Sequence, residues 1–183
     1  MADTLTRQQR HECMSHIRSK DTGPEVKLRK ELHRLGYRYR INVKSLPGTP
    51  DIVLPKYRSC IFVNGCFWHG HKGCSKFVIP KSNTEFWEAK IRNNHERDLK
   101  EIMLLEAYDW KVIVVWECQL KKESFDETVA AVRKQLDENR EAYTEYVADR
   151  RKMRKEWQEE MKRRRQKAGE LMEELEKFTI TSE

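Results

Sequence analysis

The sequence predicts an α/β fold in which one mixed central sheet is flanked by helices and followed by a long helical extension. Three observations lead there. An amphipathic helical segment precedes three short β-like stretches, and a second helical segment runs into the apolar stretch KVIVVW. After Lys122 the composition changes abruptly to dense alternation of acids and bases. The 183 residues have room for one ordinary domain and an appendage, so the expected division is a core over 1–122 and a charged helical extension over 123–183.

The first helix is expected from about 24 to 35. Pro24 occupies a favoured first helical position, Leu28, Leu32 and Leu35 recur on one face, and Gly36 stops the segment. Glu25 lies three residues before Leu28 and therefore points inward with the leucines, an unusual place for a carboxylate. Tyr37–Ile41, Asp51–Leu54 and Ser59–Val63 are short β-branched or aromatic stretches separated by the turn signals SLPGTP and PKYRS, and read as three strands. Ser82 and Glu85 have capping-box spacing for a second helix reaching about Tyr108, with Trp87, Ile91, Ile102 and Leu105 at near-helical spacing. Lys111–Trp116 then reads as a buried strand.

From about Asp126 to Phe178 there is no proline and one glycine, Gly169, so a long helix is expected. Heptad positions counted from Val147 include Trp157, Met161, Leu171 and Leu175, but also Arg150, Arg154 and Arg164. Two readings stay open: a solvated helix laced with i,i+4 ion pairs, or a surface for self-association or for contact with a repair protein.

Charge is unevenly divided. Residues 1–120 carry 21 Lys+Arg against 14 Asp+Glu, a net +7, whereas residues 121–183 carry 16 of each. A basic core favours a polyanionic partner such as nucleic acid. No apolar run approaches the roughly 20 residues that span a bilayer, and MADTLTRQQRHECM lacks a signal-peptide core, so a soluble cytoplasmic protein without membrane contact is expected. Five cysteines, an odd number with three close to histidines, fit thiols and metal better than a disulfide framework.

Cys66, His71, Cys74 and Cys118 provide soft sulfur and imidazole donors, three of them within nine positions on a glycine-rich loop and the fourth at the end of the buried strand. Four such donors make a closed tetrahedral site of the structural zinc type, tying the loop to the strand. Between them lie Phe67, Trp68 and His69; aromatics so placed either project outward, where they can wedge between DNA bases, or pack as a small cluster under the loop. Asp51 follows Pro50 at the start of DIVL, where a hard cation could reach it, although a turn-capping role also fits a lone Pro-Asp.

The combination of SLPGTPDIV, CIFVNGCFWHGHKGC, TEFW and VIVVWEC resembles the very short patch repair endonucleases, the Vsr family of T:G mismatch nickases, over residues 10 to 120. The resemblance implies a PD-(D/E)xK-type nuclease core. It implies Asp51 and the backbone carbonyl of Val63 as ligands of a catalytic Mg2+, His69 as the catalytic histidine, Glu25 as a supporting acid, and Zn2+ on Cys66, His71, Cys74 and Cys118. It further implies that Met14, Phe67, Trp68 and Trp87 wedge into double-stranded DNA beside the mismatch. Two departures accompany it: Lys72-Gly73 make the zinc loop one residue longer, and Asn64 stands where the best-known member of the family has a catalytic-site histidine, leaving an amide that cannot exchange a proton near neutral pH. The implied activity is nicking of one strand next to a T:G mismatch. The rival expectations are a Vsr-like nuclease of a restriction or defence system that needs no mismatch, and a zinc-stapled DNA-binding module without catalysis.

Overall fold

A computed structural model describes residues 20–180 together with Gln9 and Glu12, with side chains described through Met172. Met14, named above as a wedge residue, lies outside the described residues. The elements run α1 (Gly23–Arg34), β1 (Ile52–Leu54), β2 (Ser59–Asn64), α2 (Thr84–Ala107), β3 (Lys111–Trp116) and α3 (Phe125–Ile180), with 3-10 turns at Pro55–Tyr57 and Glu117–Leu120. The chain divides into two compact units, Met1–Arg140 and Glu141–Glu183. Among the described residues, no helix is long and apolar enough to cross a membrane.

The sheet is mixed, as expected, with order β1-β2-β3. β1 runs antiparallel to β2 (Ile52 opposite Ile61), and β2 runs parallel to β3 (Val63 opposite Val115), with α2 as the crossover. Side chains alternate between its faces. Ile52, Leu54, Ile61, Ile113 and Val115 pack with Leu28 and Leu32 of α1 and with Val129, Val132 and Leu136 of α3. Val53 and Cys60 pack with Leu105 in the last turn of α2 and with Trp110 just before β3. Asn139 Nδ2 also donates to the hydroxyl of Ser59, a buried residue at the start of β2.

The strand expected at Tyr37–Ile41 is only a single antiparallel bridge, Arg40 to Val53, with both hydrogen bonds at 2.8 Å. Its aromatics serve tertiary packing instead: Tyr37 is buried against Tyr57, and the Tyr39 hydroxyl donates to the Arg29 carbonyl. Asn42, at φ 48, then turns the chain out of extension. α1 stops as read: Gly36 takes φ 90, and Tyr37 N–H reaches back to the Leu32 carbonyl. α2 begins one residue later than the Ser82 cap implied, with Asn83 at the N-cap.

Candidate active site

β1 and β2 are antiparallel, so the residue entering β1 lies beside the residues leaving β2. This puts Asp51 next to Val63, whose backbone N–H donates to Asp51 Oδ2 at 2.7 Å. Both line a cleft of about 870 Å³ that also takes in Glu25, Asn64, Trp68, His69, Asn94, Asp98 and Glu101. Residues read from distant parts of the sequence thus converge on one cavity.

Glu25 is only 3% exposed, and both of its carboxylate oxygens are engaged. Oε2 accepts from Asp21 N and from Arg29 Nη2, each at 2.9 Å, and Oε1 accepts from the Thr22 hydroxyl at 2.7 Å. Arg29, itself buried and also paired with Asp21, brings a compensating positive charge one helical turn after Glu25. Glu25 is therefore a fixed carboxylate beside Asp51 rather than one with an oxygen to spare.

Asp51 is pushed up to about 6, first by burial and further by the nearby Glu25 carboxylate, against the Val63 N–H, Arg29 and His69, which favour the charged form. A carboxylate that ionises against such burial is relieved by a positive charge placed beside it. Because its folded pKa exceeds the ordinary 3.8, the neutral acid stabilises the fold below about pH 4, and that contribution is lost as pH rises through about 6. Asp51→Asn keeps an acceptor for the Val63 N–H and removes the buried charge. The variant should melt several degrees above the parent at pH 7.5 without divalent cations, a gain on the order of 2–3 kcal/mol, and the difference should vanish by pH 4. Equal melting temperatures at pH 7.5 would contradict this reading of the carboxylate.

The sequence reading missed Asp98, which the structure places against His69: His69 Nδ1 meets Asp98 Oδ2. A carboxylate only accepts, so Nδ1 carries the proton and Nε2 of the neutral ring keeps a lone pair. Burial would raise Asp98, but hydrogen bonds from His69 and Arg97 outweigh it and hold the group below the usual carboxylate range. A signal for Asp98 was present. Trp87, Ile91, Asn94, Asp98, Glu101 and Leu105 recur at intervals of four and three, so three polar residues occupy the inward stripe of α2. Asn94 uses its place there to donate to the Trp68 carbonyl at 2.8 Å, fixing the loop that bears His69.

That loop lies close against α2. At Gly70, φ is +67 and a Cβ would come within 3.0 Å of Ile91 Cγ2, so glycine meets both demands. Phe67, Trp68 and Trp87 form an edge-to-face cluster with ring centroids 5.2–6.0 Å apart, half-buried rather than enclosed in the core. Phe86, 60% exposed, extends the cluster outward.

Beyond His69 the loop supplies a metal-capable group. The ligand atoms of Cys66, His71, Cys74 and Cys118 all lie within 4.8 Å of one another. His71 Nδ1 is 3.4 Å from the sulfurs of both Cys66 and Cys118, close to the edge of roughly 3.5 Å that zinc–sulfur and zinc–nitrogen bonds subtend in a tetrahedron. The His71 ring stacks flat on Trp116 at 4.1 Å, and Glu117 accepts from Cys66 N–H, which steadies the donors from behind. None of the described cysteines forms a disulfide.

Comparison with known proteins shows what the chain is similar to. A family model described as DNA mismatch endonuclease Vsr matches residues 2–76. The Type II nicking enzyme V.NmeAIP of Neisseria meningitidis is 52% identical over 124 residues, covering 68% of this chain and 88% of the relative. The Type II nicking enzyme V.XorIIP of Xanthomonas oryzae is 48% identical over 120 residues, with coverage of 66% and 88%. DNA mismatch endonuclease Vsr of Escherichia coli is 43% identical over 121 residues, with coverage of 66% and 77%. These relationships place the protein in the class of DNA endonucleases. More particularly, the chain belongs to the DNA mismatch endonuclease Vsr family.

Proposed function

We propose that this protein hydrolyses one phosphodiester bond of duplex DNA next to a T:G mismatch, leaving a nick that starts very short patch repair in the cytoplasm. The observation that carries this reading is the convergence of Asp51 and the His69–Asp98 pair on one cleft. A binding module would need neither, which weighs against a DNA-binding protein without catalysis. The wider scaffold is taken as PD-(D/E)xK-type, for which the mixed sheet with Asp51 at the start of β1 is the support.

Asp51, with the Val63 carbonyl, would hold Mg2+, and the fit rests on a desolvated carboxylate whose buried negative charge a cation would offset. When bound, such a cation supplies positive charge against the negative charge that develops on the phosphate. His69, oriented through Nδ1 by Asp98, presents Nε2 to take a proton from the attacking water or to steady it. Glu25 holds the Arg29 guanidinium and keeps the field around Asp51 negative. Asn64 hydrogen-bonds phosphate or water without exchanging a proton, so His69 carries the acid–base work. Zn2+ on Cys66, His71, Cys74 and Cys118 would lock the loop that presents His69.

Phe67, Trp68 and Trp87, together with Met14, would enter the base stack beside the mismatch, where unstacking is easiest. A second reading is favoured by the relatives named type II nicking enzymes: a nuclease serving a restriction or defence system, without need of a mismatch. One assay separates them. Single-turnover nicking of a T:G duplex should exceed that of the fully paired duplex of the same sequence, and Trp68→Ala should reduce the preference about tenfold. The variant should lose well under the roughly 3–5 kcal/mol of a core tryptophan. Equal cutting of both duplexes by the parent would remove the mismatch requirement.

A further inference from the structure

The neutral balance of the C-terminal region hides a segregated charge. Residues 150–167 contain ten Lys and Arg against three Glu, and counting the flanking Asp149 and Glu170 as well still leaves five positive charges in excess. The segment lies within α3, and all of its lysines and arginines are exposed. At about 100° per residue, Arg151, Arg154, Lys155, Lys162, Arg164 and Arg165 fall within one half of the helix circumference. Glu156, Glu159 and Glu160 share the other half, where Glu160 pairs with Arg164 across one turn. The basic half also carries Trp157, 64% exposed. Several large basic side chains around an exposed indole do not suit a helix seam that must be desolvated against a second copy.

We infer that the face of α3 over residues 150–167 is a second duplex DNA-binding surface, engaging the phosphate backbone without regard to sequence. Charge complementarity selects the partner: the stretch spans roughly 27 Å at about 1.5 Å per residue, long enough to meet several phosphates, and Trp157 offers an apolar ring to the sugar edge. Such a surface strengthens binding to all duplexes alike and leaves discrimination to the cleft. The inference rests on the proposed DNA activity only in taking duplex DNA as the ligand.

The test uses the full chain and a version carrying R151Q, R154Q, K155Q, K162Q and R165Q, glutamine being a good helix former. Affinity for a fully paired duplex is measured by fluorescence anisotropy across a NaCl series, with helicity and sedimentation checked in parallel. The variant should lose about 3 to 4 from the slope of log affinity against log salt, near 0.9 per phosphate contact. It should bind at least tenfold more weakly at 100 mM salt. Its single-turnover nicking rate at saturating enzyme should be unchanged. A slope within 0.5 of the parent's overturns the surface, and does so whether or not the variant changes oligomeric state, a change that would assign the face to a second copy. If the parent fails to bind any duplex, the surface and the proposed activity fall together, whereas an unchanged slope with duplex binding intact removes the surface alone.

Discussion

Asp51→Ala and His69→Ala should each abolish nicking while leaving a folded, DNA-binding protein. General acid–base groups contribute on the order of 10²- to 10⁴-fold, and Asp51, as the proposed cation site, should be worth at least as much. The measurement is single-turnover nicking of a T:G duplex at saturating enzyme, paired with anisotropy to show that binding persists. The two variants should differ in one respect. Asp51→Ala removes a carboxylate whose charge is costly because burial pushes its pKa up to about 6, so its stability should hold or rise at neutral pH. His69→Ala removes one of the hydrogen bonds to Asp98 and keeps the one from Arg97, so its stability should fall slightly. Near-normal rates from either variant would refute the assigned roles.

The second large effect concerns the metal group. Cys66→Ser or Cys118→Ser should lose bound zinc, of which the parent should carry one equivalent, and should melt more than about 10 °C lower. Structural zinc contributes apparent free energies of about 10–16 kcal/mol in small domains; here the sheet already has a core, so the loss should loosen the loop rather than unfold the whole unit. Burial pushes the Cys66 thiol up, whereas the Lys76 N–H and neighbouring groups draw Cys74 down. The donors therefore compete with protons, and zinc should be released as pH falls. A variant with full thermal stability and no zinc would show that the four side chains cluster for some other reason.

The parts of this site that the sequence made legible share a physical cause. Glu25 could be read as inward because Leu28 and Leu32 fix the buried face of α1, and any residue in phase with them must follow. Cys66, His71 and Cys74 were legible by spacing, and Cys118 by its place at the end of a strand that proves to be the parallel neighbour of β2. Asp98 was less legible because a polar residue in phase with the apolar ones of α2 reads as a break in the inward stripe rather than as part of it. The stretch Tyr37–Ile41 misled because aromatic alternation is the same whether the rings pack on a sheet or dock on a helix. No local pattern distinguishes those outcomes; only the partner does.

The opening turns of α3 belong to the same unit as the sheet. Val129, Val132 and Leu136 are no more than 6% exposed, and they cover Leu28 and Leu32. At about 1.5–3 kcal/mol per buried aliphatic side chain, this cover amounts to a large part of the roughly 5–15 kcal/mol by which a domain is stable at all. The change of composition at Lys122 is thus a poor place to cut. A catalytic fragment ending there would present a greasy sheet to water and would be prone to aggregate, whereas one ending after Arg140 would keep its roof. Natural shortening or recombination of the extension is confined in the same way, free to vary its far part but not its first four turns.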